Sequence, residues 1–169
     1  MIILRSSALG YTLTELLIAL TIGTFATTYV FGSIKDSATW HTQSRSVITT
    51  IKTARAQAAS LNQPVILCSL DAELACTNVA SPLTTFADIN NNKKYDADDV
   101  WLGELELDSI ELKWRQDRRF IRFRPDATVW GYFGTLRLCA NNDKRMAITI
   151  SATGRNRVFT PPAEECLPD

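Results

Sequence analysis

The sequence has one histidine, His41, and no two cysteines in CxxC spacing, which excludes the common zinc sites and leaves little for a histidine-based triad. It also lacks an excess of either charge. Eighteen basic residues balance eighteen acidic ones, which removes any global electrostatic case for nucleic acid or anionic membrane as a partner. There is no internal repeat and no low-complexity tract. Enzyme chemistry is not expected on these grounds, nor is a cofactor or a metal. The 169 residues, 46% hydrophobic and 21% charged, suit one folded domain rather than a disordered chain.

The balance of charge is made of two opposed halves. From Asp71 to Glu111 ten acidic residues stand against Lys93 and Lys94 alone, a net of −8; from Lys113 to Arg157 eleven basic residues stand against Asp117, Asp126 and Asp143, a net of +8. A case for an anionic partner must be made locally, in the second half.

Between Arg5 and Lys35 the only charged residue is Glu15, and the run from Tyr11 to Phe31 is about as long as a bilayer core requires of a helix. A transmembrane helix is expected over residues 11–31, with Arg5 on the cytoplasmic side. The alternative is a secretory signal cleaved at Thr24-Phe25-Ala26. Glu15 counts against it, because a carboxylate in an apolar helix costs roughly 3 kcal/mol and usually has a partner.

From Gly32 to Asn62 there is no proline, and Ile34, Val47, Ile48, Ile51, Ala54, Ala58 and Leu61 recur at three- and four-residue spacings. The helix is expected to continue as an amphipathic segment over residues 32–62, to be stopped by Pro64, and to tolerate a bend at Gly23 or Gly32. Beyond it the pattern shifts to short apolar runs: 65–70, 100–107, 110–114, 120–124, 135–140, 146–151 and 157–160. These predict short antiparallel strands, and the fold class is α+β, a long N-terminal helix packed on a β-rich head over residues 63–169.

The segment Gly10-Tyr11-Thr12-Leu13-Thr14-Glu15-Leu16-Leu17-Ile18-Ala19 resembles the class III signal of type IV prepilins and type II secretion pseudopilins. That resemblance implies a leader peptide over residues 1–10, cleavage between Gly10 and Tyr11 by a prepilin peptidase, and N-methylation of Tyr11, which stands where phenylalanine is usual. It also implies that Glu15 pairs with the terminal amine of a neighbouring subunit. Such a carboxylate is eased by the helix dipole and by an ammonium group. Phe123-Arg124-Pro125-Asp126, Leu138-Cys139, Ile148-Thr149-Ile150-Ser151, Gly154-Arg155-Asn156-Arg157 and a late Cys166 are similar to the GspH/FimT/FimU group of minor pilins, whose head has two antiparallel sheets. Ala127 stands where that group usually has glycine.

The resemblance implies a minor pilin at or near the tip of a type IV pilus, or alternatively a type II secretion pseudopilin. Its partners would be other pilin subunits, the prepilin peptidase and the inner membrane. The chain would be single-pass in that membrane before assembly and at the cell surface afterwards. Outside the membrane Cys68, Cys76, Cys139 and Cys166 would be oxidised. Three connectivities are open, of which Cys68–Cys76 and Cys139–Cys166 are favoured.

Asp88, Asn90, Asn92, Asp96 and Asp99 follow calcium-loop spacing, but Lys93 stands where that loop needs glycine, so the segment reads as a solvated turn. In an extended strand Arg118, Phe120, Arg122 and Arg124 share one face. Gly154-Arg155-Asn156-Arg157 resembles the GRxR motif by which FimT-type minor pilins bind DNA in natural transformation. It implies double-stranded DNA as a partner of Arg155 and Arg157, helped by Arg122 and Arg124; a structural turn whose arginines pair the acidic half is the alternative. Trp101, Trp114 and Trp130 read as packing residues, and Trp40 and His41 as interface anchors or helix packing.

Overall fold

The computed structural model describes residues 12–77, 82–108, 110–114, 119–129, 131–140 and 143–166, with the backbone alone for 23–37 and 165. Contacts divide the chain into two units after Thr39, and helix α1 (Leu13–Leu61) contributes to both. The helix begins at a cap: the Glu15 amide donates to Thr12 Oγ1 (3.3 Å) and to the Thr12 carbonyl (3.1 Å). Gly23 and Gly32 lie within it without interruption of helical backbone.

In the first unit Leu13, Leu16, Leu17, Ile18, Leu20 and Ile22 are all more than half exposed. Among the described residues no helix is long and apolar enough to cross a membrane. Of the span expected over 11–31, residues 23–31 are described by their backbone alone, and the leader, Gly10 and Tyr11 lie outside the described residues.

In the second unit α1 stops before Pro64 acts. Asn62 adopts φ +53°, and the Gln63 amide donates to the Ala58 carbonyl at 3.3 Å, a Schellman-type end in which asparagine supplies the left-handed residue. Pro64 then leads into strand β1 (Val65–Leu70). The other strands are β2 (Cys76–Thr77), β3 (Leu83–Ala87), β4 (Val100–Leu105), β5 (Ile110–Trp114), β6 (Phe120–Phe123), β7 (Gly134–Ala140), β8 (Arg145–Ile150) and β9 (Asn156–Phe159), followed by a 3-10 turn (Ala163–Cys166).

They form two antiparallel sheets. In the first, β1 pairs with β3 and with β6 through Val65–Cys68 and with β2 through Ser69 and Leu70, while β4 extends the sheet beyond β3. The register between β3 and β4 skips Leu102, and Gly103 takes φ +147° at this bulge. The second sheet has the order β5-β7-β8-β9, which leaves β9 at an edge.

The core lies between α1 and the sheets. Val47, Ile51, Ala54 and Ala58 form the buried helix stripe, and Val65, Leu67, Leu136, Leu138, Ile148 and Ile150 meet it. Each large aliphatic side chain buried here contributes about 1.5–3 kcal/mol. The opposite face of the first sheet has a smaller cluster of Ile66, Cys68, Cys76 and Phe86, with Tyr95 and Phe120 against it. Both faces of β1 and β3 are therefore covered, which is why they are buried almost without alternation. Disulfides join Cys68 to Cys76 and Cys139 to Cys166, each with Cα atoms 5.6 Å apart.

Candidate functional site

Three segments far apart in sequence meet at Arg55. From the helix its Nε donates to the Ala127 carbonyl (2.9 Å) and its second guanidinium nitrogen to the Thr153 carbonyl (3.1 Å). The first carbonyl belongs to the turn after β6, closed by Ala127 N to Arg124 O and Arg124 N to Thr128 O, both 2.8 Å. The second belongs to the β8–β9 hairpin, closed by Gly154 N to Ser151 O (2.8 Å) and Ser151 N to Arg155 O (2.9 Å). Gly154 is required twice: its φ is +73°, and a Cβ there would lie 2.4 Å from the Ala127 carbonyl oxygen.

This junction positions the GRxR segment. Arg155 is exposed at the base of the hairpin turn, and Arg157 is exposed on edge strand β9, opposite Thr149. Lys52, Arg55 and Asn156 line a cleft of about 290 Å³ beside Gly154. Arg124 is also exposed, in the turn that Arg55 holds.

Arg122 lies elsewhere. It faces outward from β6 in the first sheet, half-buried, with Nε 3.7 Å from Oδ2 of the fully buried Asp88 and a side-chain contact to Asn91. Its guanidinium carbon is 5.9 Å from the centre of the Tyr132 ring. The structure thus brings Arg155 and Arg124 toward a common support, Arg55, and commits Arg122 to Asp88. Arg118 and Trp130 are outside the described residues.

The loop from Asp88 to Asp99 is built from its own hydrogen bonds. Asp96 accepts from Asn90 Nδ2 (2.9 Å) and from Asn92 Nδ2, and Asp99 accepts from the amides of Ile89 (2.9 Å) and Asp96 (3.1 Å). The Asn90 bond holds the Asp96 carboxyl below the usual range, whereas burial pushes Asp99 up. Lys93 accepts the left-handed conformation, φ +65°, without glycine. Among the described residues no group of three or more histidine, cysteine or carboxylate side chains converges as metal ligands.

Glu15 is exposed in the first turn of α1. Trp40 packs on the core, Trp114 is partly buried, and Trp101 is 41% exposed with its ring edge-on to Tyr95 at 5.1 Å. Arg55 and Tyr132 carry no motif that marks them as site residues. For Arg55 the available signal is an arginine bracketed by Ala54 and Ala58 on a stripe otherwise apolar.

A family model described as type II transport protein GspH matches residues 43–154 of the sequence. The chain belongs to the GspH family. Two crystal forms of the type IV minor pilin FimU of Pseudomonas aeruginosa share the fold. One aligns with a TM-score of 0.56 at 16% identity over 70% of this chain and 91% of FimU. The other gives 0.54 and 15% over 73% and 89%. The minor pseudopilin EpsH of the Vibrio cholerae type 2 secretion system aligns at 0.49 and 13% over 69% and 93%. No curated protein matches the chain in sequence. The α+β architecture, with two antiparallel sheets on the helix, is shared with FimU.

Proposed function

We propose that the chain is a minor subunit of a type IV pilus, made as a prepilin with a ten-residue leader, cut between Gly10 and Tyr11, N-methylated at Tyr11 and held in the inner membrane by residues 11–31 until it enters the pilus at or near its tip. The observation that carries this reading is the first unit of the GspH-family chain. Glu15 sits in the first turn of a helix that exposes Leu13, Leu16, Leu17, Ile18, Leu20 and Ile22 around its circumference. A helix apolar on all sides needs lipid or neighbouring helices around it. A lone carboxylate in that setting needs a cation, which a neighbour's N-terminal amine supplies. The remaining regions are the amphipathic helix over 32–62 and the head over 63–169.

A type II secretion pseudopilin would share all of these features. The basic second half favours the pilus, because exposed Arg155 and Arg157 at a sheet edge, with Arg124 near their common support, suit duplex DNA handled at a pilus tip. Deletion of the gene in its host separates the two. Loss of surface pili with normal protein secretion supports the pilus, and loss of secretion with normal pili overturns it in favour of the pseudopilin.

A further inference from the structure

The face of the first sheet opposite the main core holds an aromatic and cationic cluster apart from the GRxR edge. Phe120 and Arg122 point outward from β6, while Ile121 and Phe123 point into the core. The Phe120 and Tyr132 rings lie 5.2 Å apart at an interplanar angle of 31°. Lys93 Nζ and the Arg122 guanidinium are each 5.9 Å from the Tyr132 ring centre. Two clefts adjoin at Tyr132. One, of about 370 Å³, is lined by Lys93, Lys94, Arg119 and Phe120; the other, of about 420 Å³, by Asn91, Arg122 and Arg124.

The walls are built from buried parts. Asp88, with no solvent exposure, accepts from the Lys93 amide (3.4 Å) and pairs with the Arg122 side chain, so one carboxylate holds the backbone that carries Lys93 and the guanidinium of Arg122. The backbone of Lys94 is bridged to Ala75, and the Tyr95 amide donates to the Leu74 carbonyl (3.1 Å), which seats the lysine-bearing loop on the segment closed by the Cys68–Cys76 disulfide. Lys93, Lys94, Arg119 and Arg124 are exposed. The carboxylates of Asp96 and Asp99 on the same loop are turned into its own hydrogen bonds.

We propose that this cleft binds single-stranded nucleic acid. A base stacks against the Phe120–Tyr132 pair, and phosphates on either side are neutralised by Lys93, Lys94, Arg119 and Arg124. Every base has a π face, and a ring pair flanked by cations on two sides is the arrangement that tracks a strand without reading its sequence. A duplex keeps its bases stacked on each other and offers the rings nothing. An anionic polysaccharide would use the cations and leave the rings idle. The site rests on neither Arg155 nor Arg157, so its failure and that of the duplex-binding edge are read separately.

The test uses the full-length chain in detergent micelles and fluorescence anisotropy with a labelled twelve-residue oligothymidylate at low salt, a duplex of the same length, and heparin. Saturable binding of the single strand is expected, weakened about tenfold by Tyr132→Ala and retained by Tyr132→Phe, since stacking needs the ring and not the hydroxyl. Lys93→Gln with Lys94→Gln should weaken binding and flatten the log–log salt slope by about 0.7 for each phosphate that is no longer neutralised. Phe120→Leu serves as the second stacking variant should Tyr132→Ala lower the melting temperature. The proposal is overturned by single-strand binding that is insensitive to both ring variants, by duplex bound as tightly as single strand with the same response to Tyr132, or by heparin binding alone.

Discussion

Arg55 and Gly154 occupy a space that one methyl group would close. A Cβ on Gly154 would stand 2.8 Å from Arg55 Nε and 2.4 Å from the carbonyl that this nitrogen binds. The contact connects α1, the turn after β6 and the β8–β9 hairpin. A side chain from the helix thereby sets where the edge strand with Arg157 begins.

Gly154→Ala should cost about 3 kcal/mol. The left-handed backbone adds roughly 1 kcal/mol for a non-glycine residue, and displacing Arg55 breaks charge-assisted hydrogen bonds worth about 1.5–3 kcal/mol. Arg55→Met should cost about 2 kcal/mol by the second route alone. Since both variants lose the same bonds, the double variant should fall well short of the sum. Denaturant unfolding followed by tryptophan fluorescence measures all three, and strict additivity would refute the shared contact.

Ala127 sits at φ +59° in the turn whose carbonyl Arg55 takes, so alanine holds a conformation that glycine adopts without strain. Ala127→Gly should stabilise the head by about 0.5–1 kcal/mol, the strain relieved exceeding the added freedom of the unfolded chain. A lower unfolding midpoint in the same assay would count against this.

The helix is legible because its three- and four-residue apolar spacing is long and regular, and most strands because each is a short apolar run; β1 and β5 begin and end where those runs do. Two strands are not. Cys76–Thr77 is too short to show a period, and Leu83–Ala87 contains Thr84 and Thr85 at buried positions, since its sheet is covered on both faces and alternation disappears. Pro64 marks the helix end in the sequence, but Asn62 ends the helix two residues earlier with a left-handed turn whose side chain leaves little pattern. At the site, period two places Phe120 and Arg122 on one face, as the structure has them. That Arg122 is held by Asp88 is hidden, because the two are brought together by the pairing of β6 and β3 on either edge of β1, a tertiary fact with no local signal.

Asp126 accepts from the Thr128 hydroxyl (2.6 Å) and amide (3.0 Å), and these bonds, the hydroxyl's first, hold its carboxyl below the ordinary range. A depressed folded pKa contributes stability above the unfolded value, about 3.9, and loses it as the pH falls through the folded value. Asp126→Ala should therefore lower the melting temperature at pH 6, and the difference from wild type should shrink as the pH is taken from about 4 toward 2. Asp99, raised by burial, contributes with the opposite sign, and it is common to both proteins. A difference that stays constant over that range would show that the carboxylate's charge is not involved.

Glu15→Ala should leave the head folded while impairing entry into the filament, because the neighbour's ammonium loses its partner in an apolar setting. Intact mass of the wild-type chain should correspond to a start at N-methylated Tyr11. A chain that retains Met1, or one cut after Ala26, would contradict the prepilin processing, and normal incorporation of the variant would remove the assembly role of Glu15.

Duplex binding should be weak, without sequence preference, and dependent on Arg155 and Arg157. Both are exposed, and the hairpin that presents them is held from behind by Arg55, so their guanidinium groups can reach phosphates without rearrangement of the fold. The interaction is one of counterion release, so affinity should drop steeply with salt, and each phosphate released from an arginine should flatten the log–log slope by about 0.9. The acidic stretch from Asp71 to Glu111 opposes approach from other directions, which places affinity at micromolar or weaker. Mobility-shift titration of wild type against Arg155→Gln/Arg157→Gln over a salt series should show the double variant binding more weakly and with a shallower slope. Equal binding by a folded double variant would rule out the edge as the duplex-binding surface and leave the arginines a role between subunits. Unchanged duplex affinity in Tyr132→Ala would confirm that the edge and the ring cleft act separately, since no duplex base is free to stack there.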